Sequence, residues 1–223
     1  MKISASDITS YKYCPRSYFR EKVLKLVRPP NEQQVRGSLV HNIYSYFFAN
    51  KVYERKDYLE WFVDEGINRF INKENERISK LNLSKTILKD DLFLAVNRVI
   101  NAFKEGRIQI PREVEKRIEN EEFVAISDAI FSDSPDNNGF VLGEVKLGYN
   151  LERVKLQLAV ATIIYEGLGQ SIKGAKVIDA YKWQEIPIEI NDSVKEEVYR
   201  IRAEILKLWE TKEVPECICG RCD

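Results

Sequence analysis

Residues 122–132, EFVAISDAIFS, and residues 140–147, FVLGEVKL, decide how this chain is read. Both stretches alternate apolar and polar side chains with the two-residue period of a strand. The turn-forming SPDNNG at 134–139 separates them, so a β-hairpin is expected. Asp128 sits inside the first, otherwise apolar strand. Glu144 and Lys146 stand two apart on the second, in Gly143-Glu144-Val145-Lys146. Alternation places Glu144 and Lys146 on one face and turns Val145 to the other, into the core. Pairing across the turn would bring Asp128 beside Glu144. Two carboxylates and an ammonium would then converge. Hard oxygen ligands of this kind suit Mg²⁺ or Mn²⁺. The lysine can orient water or help deprotonate it, and can stabilise a pentavalent phosphate. That is the chemistry of phosphodiester hydrolysis. A Glu-x-Lys pair on a strand is more often a solvated surface ion pair; the Asp in the preceding strand is what makes it a candidate site.

The flanking sequence sets this hairpin in an α/β chain. Residues 6–28 read as a helix capped by Ser6 or Asp7 and stopped by Pro29-Pro30. Residues 37–50, 56–75 and 88–105 read as three amphipathic helices. After the hairpin come a helix over 151–168, strands over 176–183 and 185–190, and a strongly periodic helix over 193–209. The order is helices, then β-β-α-β-β-α, which points to a mixed sheet with an N-terminal helical elaboration. We read residues 1–223 as one domain. Residues 1–118 form its mostly helical part, 119–212 its α/β core and 213–223 a cysteine-bearing tail.

Composition narrows the function classes. The 223 residues carry 35 basic and 35 acidic side chains, for a formal net charge of zero. That argues against a uniformly basic coat but leaves room for a local basic face. At 44% hydrophobic and 31% charged, the chain is neither disordered nor membrane-spanning. MKISASDITSYKY has neither the apolar core nor the cleavage site of a secretory signal, so a cytoplasmic location is expected.

Four cysteines are placed asymmetrically: Cys14 near the start, and Cys217, Cys219 and Cys222 within the last seven residues. Four thiolates form the ligand set of an Fe–S cluster or a structural zinc ion. Either would tie the two chain ends together. Disulfides and uncommitted thiols are the alternatives, disulfides being unusual in the cytoplasm. The single histidine, His41, lies on an apolar helix, where a packed imidazole is the commoner role, although imidazole suits Mn²⁺. One histidine excludes every multi-histidine metal site. Residues 11–36 hold Lys12, Arg16, Arg20, Lys22, Lys25, Arg28 and Arg36 against Glu21 and Glu32. Tyr11, Tyr13, Tyr18 and Phe19 are interleaved with them. Charge with aromatics is what single-strand binding requires. We assign the aromatics mainly to the core and the arginines to DNA contact.

Taken in order, these residues resemble the RecB-like nucleases of the PD-(D/E)XK superfamily, with its restriction-endonuclease-like core. Among them the chain resembles the CRISPR-associated adaptation nucleases (the fourth Cas family). The matching pieces are Ile8-Thr9-Ser10-Tyr11 with Cys14-Pro15-Arg16, Gly37-x-x-x-His41, Asp128, Glu144-Val145-Lys146, Gln157 and the terminal cysteines. Three positions depart from the pattern. Ala161 stands where a tyrosine follows the glutamine, with Tyr165 one turn further on; Ala125 replaces a glycine; and the trio is compressed to C-x-C-x-x-C. The resemblance implies a Mg²⁺ or Mn²⁺ held by His41, Asp128, Glu144 and the Val145 carbonyl, with Lys146 activating water. It implies substrate positioning by Gln157, Arg16, Arg20 and Tyr165. It implies a structural cluster on Cys14, Cys217, Cys219 and Cys222, 4Fe–4S first, with 2Fe–2S or Zn²⁺ as alternatives. The implied substrate is single-stranded DNA or DNA with single-stranded ends, cut exonuclease-like. The implied setting is trimming of CRISPR spacer precursors beside the integrase complex, for antiviral defence, with homo-oligomers among the family's assemblies. Repair, replication or viral nucleases of the same family, and a non-catalytic binding scaffold, are the competing readings.

Overall fold

The computed structural model describes residues 1–26, 31–55, 60, 62–132 and 139–220. The chain starts in the sheet: β1 (Ile3–Ser4) pairs in parallel with Phe123 and Val124. Ser4 caps α1 (Ala5–Tyr13), its Oγ accepting the Asp7 N–H at 3.1 Å while Asp7 Oδ2 accepts the Ser4 N–H at 3.1 Å. This reciprocal box fixes the helix start two residues before the expected Ser6 cap. α1 ends at Cys14, whose backbone is extended. Pro15 then opens α2 (Pro15–Tyr18), followed by a π-helical turn over Phe19–Val23. The single helix expected over 6–28 is thus broken at Cys14; Pro at the first helical position loses no hydrogen bond. The proposed Pro29-Pro30 stop lies outside the described residues.

α3 (Glu32–Ala49) is capped by Asn31 and Gln34, five residues earlier than the expected start at Gly37. A π-turn over Phe62–Gly66 leads to α4 (Ile67–Lys73), then α5 (Asn75–Lys80) and α6 (Lys85–Lys104). Part of the helix expected over 56–75 lies outside the described residues; the remainder ends at Lys73. The sheet continues with β2 (Glu113–Glu119), β3 (Phe123–Ser132) and β4 (Phe140–Lys146). After α7 (Leu151–Gly167) come β5 (Ile172–Asp179), β6 (Gln184–Ile188) and α8 (Asp192–Thr211). The strand order is β1-β3-β4-β5-β6, with β2 also on β3. β4 and β5 are parallel while β3–β4, β2–β3 and β5–β6 are antiparallel. The parallel pair needs a long crossover, which α7 supplies. The sheet therefore takes in residues 3–4 and 113–119, which the sequence placed in the helical part. Residues 113–119, EVEKRIE, have no apolar alternation to reveal a strand.

Each sheet face has its own core. Ile130, Leu142 and Val177 pack with α1, α7 and α8 side chains such as Ile8, Ala159 and Ile201. Phe131, Val145, Ile178 and Trp183 pack with α3 and α6 side chains such as Ile43, Phe47 and Val99. The result is a mixed sheet between two helical layers.

One edge of β3 positions the site. β4 pairs with it from Ser132↔Phe140 to Ala129↔Gly143 and no further. β1 meets it only at Phe123 and Val124. β2 occupies the other edge from Val124 to Ile130. Between β1 and β4 the edge is open, and Asp128 stands where β4 peels away to follow β5. Gly143 marks the last paired position. A Cβ there would sit 2.8 Å from Phe131 Cε2 and 3.3 Å from Ala129 Cβ. Overpacking of this kind costs about 1–3 kcal/mol. Gly143→Ala is expected to lower stability by that amount in a denaturant melt. Wild-type stability would show that the strands have room to spare.

Candidate active site

Asp128 and Glu144 are both buried, at 7% and 5% exposure. Asp128 uses its two oxygens on different partners. Oδ2 accepts the Val145 N–H at 2.8 Å, just past the end of the β3–β4 ladder, and lies 3.9 Å from Lys146 Nζ. Oδ1 lies 3.4 Å from His41 Nδ1. Lys146 Nζ lies 2.7 Å from Glu144 Oε2, which confirms that the pair shares a face. Val145 is fully buried in the opposite core. α3, packed on that core, delivers His41 to Asp128. Residues 41, 128, 144 and 146 thus meet.

Burial would by itself raise the Asp128 carboxyl, but His41, Lys146 and the Val145 N–H outweigh it and hold it below its usual range. Glu144 is pushed up to about 8, by burial first and by the Asp128 charge second. Burial would lower the His41 imidazolium; Asp128 reverses that, and its pKa rises. Lys146 is likewise raised, because Glu144 and Asp128 overcome its burial. Two buried carboxylates therefore compete for one unit of negative charge. A divalent cation resolves this conflict, so the donor set of carboxylates with an imidazole fits Mg²⁺ or Mn²⁺.

A further carboxylate belongs here. Glu115, on β2, places Oε1 4.0 Å from His41 Nδ1 and accepts the Ser45 hydroxyl at 2.8 Å. Ligand atoms of His41, Glu115 and Asp128 all lie within 4.8 Å of one another. Glu115 has a left-handed backbone, φ 51°, and skips pairing opposite Asp128 between Val114↔Ala129 and Lys116↔Ser127. Its stretch carries five charges in seven residues and gave no signal.

Gln157 is half-buried on α7. Tyr165 is buried against Phe140 at a ring distance of 6.1 Å. Phe140 starts β4 and Glu144 lies near its end, so Tyr165 is not brought to the carboxylates. Burial first, then Glu113, raises its hydroxyl to about 12. Arg16 is exposed on α2 and Arg20 half-buried in the π-turn after it. Much of the basic excess is matched: Lys12 pairs with Glu197, Lys22 with Asp7 at 3.0 Å, and Arg36 with Glu32 and Asp91. Arg28 lies outside the described residues. Tyr11, Tyr18 and Phe19 are core, as assigned; Tyr13 is 44% exposed, under the Arg153 guanidinium at 4.0 Å.

Cys14 is buried and meets Cys217 and Cys219, all three sulfurs lying within 4.8 Å of one another. Cys222 lies outside the described residues. Cys217 and Cys219 are 3.7 Å apart, far beyond an S–S bond. The α8 end is anchored beside Cys14's segment, Trp209 Nε1 donating to the Tyr18 hydroxyl at 3.3 Å. The thiol set fits a zinc ion or a cluster.

At neutral pH a Glu144 carboxyl shifted to about 8 is mostly protonated, so a cation must displace a proton to bind. Mn²⁺ affinity should therefore climb with pH, by up to about tenfold per unit, until Glu144 ionises unaided, and then level off. Titration calorimetry of wild type beside Glu144→Gln checks this: the variant should bind more weakly with a flatter pH profile. Equal slopes would remove Glu144 from the ligand set.

No helix among the described residues is long and apolar enough to cross a membrane. No curated protein matches the chain at a significant level. A family model described as the PD-(D/E)XK nuclease superfamily matches residues 2–223. With its mixed sheet, its Asp128 at the strand fork and its Glu144-Val145-Lys146, the chain belongs to the PD-(D/E)XK nucleases, hydrolases that use a divalent metal.

Proposed function

We propose that this protein is a metal-dependent deoxyribonuclease acting on single-stranded DNA or on single-stranded ends, processing CRISPR spacer precursors beside the integrase complex. The observation that carries the nuclease chemistry is the meeting of His41, Asp128, Glu144 and Lys146 at the edge gap of β3. Asp128, Glu144, His41 and the Val145 carbonyl would hold the ion. A bound divalent ion supplies charge neutralisation at the scissile phosphate and a lowered pKa for the attacking water. Lys146, held between Glu144 and Asp128, orients that water and stabilises charge on the phosphate as it becomes pentavalent. His41 and Val145 N–H fix the two oxygens of Asp128 in place. Gln157, Arg16 and Arg20 are assigned to positioning the strand. The CRISPR setting and the single-strand preference rest on the ordered motif set bracketed by cysteines.

Mn²⁺-dependent cleavage of a labelled single strand tests this. Lys146→Ala and Asp128→Ala should each reduce turnover by about 10³-fold, as loss of a transition-state charge partner does. If both variants cut like wild type, the site is wrong.

For the cysteines we propose a structural site on Cys14, Cys217, Cys219 and Cys222, an Fe–S cluster by the family resemblance. One observation favours a single tetrahedral ion instead. Thiolates about 2.3 Å from one zinc stand about 3.8 Å apart, and Cys217 and Cys219 are 3.7 Å apart. A multi-iron cluster spreads its thiolates over several metals. Anaerobically purified protein should be brown with visible absorbance for a cluster, and colourless with stoichiometric zinc for the ion. Cys217→Ala should cost about 4–5 kcal/mol of stability, as loss of a metal does, read by thermal melting, while metal-saturated turnover per folded molecule changes little. Unchanged melting would deny the site either structural role.

A further inference from the structure

Beside the active site runs a groove of about 600 Å³ between α3, α4 and the β2 edge. Glu115 lines it, its Oε1 accepting the Ser45 hydroxyl and lying 4.0 Å from His41 Nδ1. Asn42, directly after His41, also lines it. The groove therefore shares Glu115 with the His41–Glu115–Asp128 cluster. Along its α4 wall stand Arg69 and Lys73, both exposed. They are four residues apart on one helix, so they share a face with Cβ atoms about 5–6 Å apart. Long, flexible side chains at that spacing can meet successive phosphates.

Their electrostatic state differs from that of three cations of the N-terminal segment. Lys12, Lys22 and Arg36 are each held by a carboxylate. Arg69 and Lys73 have no carboxylate within ion-pair distance among the described residues. Unmatched positive charge in a concave surface focuses the potential on a polyanion. The aromatic rings at the groove are already committed. Tyr46 stacks on Phe62 at 5.3 Å and meets the edge of buried Phe70 at 5.6 Å. Both rings that line the groove, Tyr46 and Phe70, are thus engaged with core aromatics. A chain lying here is gripped by its backbone, with amide contacts from Asn42 and Asn50, and is read without regard to sequence.

We propose that this groove is the track that leads a single DNA strand into the active site, with Arg69 and Lys73 holding consecutive phosphates. The proposal deepens the nuclease reading above and rests on it. It adds a grip on α4 to the strand contacts assigned to Arg16 and Arg20.

Binding of a fluorescein-labelled, mixed-sequence single-stranded oligonucleotide, followed by anisotropy in Mn²⁺ over a salt series, tests it. The parent protein is Lys146→Ala, so that the strand survives. Arg69→Ala with Lys73→Ala should weaken binding about 10- to 100-fold. It should also flatten the dependence of log K on log salt by about 1.4, two phosphate contacts at about 0.7 each on single strands. Lys12→Ala with Lys22→Ala should leave both quantities at the parent value. Parent-like affinity and slope in the groove variant overturn the track, as does an equal loss in the N-terminal variant. Cleavage of the oligonucleotide by the parent would instead sink the assignment of Lys146, and a gel of the same samples separates the two failures.

Discussion

Two carboxylates buried side by side cannot both ionise in a dry gap unless something positive lies between them. Asp128 and Glu144 are in that position, and the surrounding structure is arranged to permit it. β4 stops pairing with β3 at Gly143 and follows β5, which leaves an opening on β3 at Asp128. The Val145 N–H, beyond the last rung, turns to the Asp128 side chain. Lys146 and His41 approach from either side, each holding one edge of the charge. An unmatched pair of this sort is a liability in a structural protein and a requirement in a metal-using enzyme. The strained backbone of Glu115 fits the same logic: a non-glycine residue in the left-handed region costs on the order of 1–2 kcal/mol, and here it directs a third carboxylate at the cluster.

The second constraint is closure of the chain on itself. α1 and α8 share the core that covers one sheet face; the Lys12–Glu197 pair joins them, and the Trp209–Tyr18 bond joins α8 to α2. That packing returns the C-terminal tail to Cys14, where α1 breaks. Loop-closure entropy grows only slowly with length, about 0.6 kcal/mol per doubling. A contact between residues 14 and 217 is therefore affordable once the helices have packed. The helical layer over the other face does different work: α3 carries His41 inward and, with α4, walls the groove beside it.

Legibility followed the range of the interactions. The β3–β4 hairpin was readable because alternation and turn chemistry are local, and the Glu144–Lys146 face followed from the two-residue period. His41 was readable as a metal ligand only within the ordered set of motifs. Glu115 was not, since EVEKRIE shows neither alternation nor a motif, and its strand exists because β3 offers an edge. The charge of the 11–36 segment was legible only in part, because two of the carboxylates that match it, Glu197 and Asp91, are distant in sequence. Tyr165 misled for a geometric reason: one extra helical turn carries it toward Phe140, at the far end of β4.

By itself the sequence determined the α/β class, the hairpin, the carboxylates with their lysine and the grouping of cysteines at the two chain ends. Each depends on short-range periodicity or on side-chain type. Only the tertiary structure decided that β4 forks from β3 at Asp128, that Glu115 joins His41, and which cations are already matched and which stand open. Those outcomes depend on which strand edges and helix faces meet across tens to hundreds of residues, and burial and pairing have no local signature.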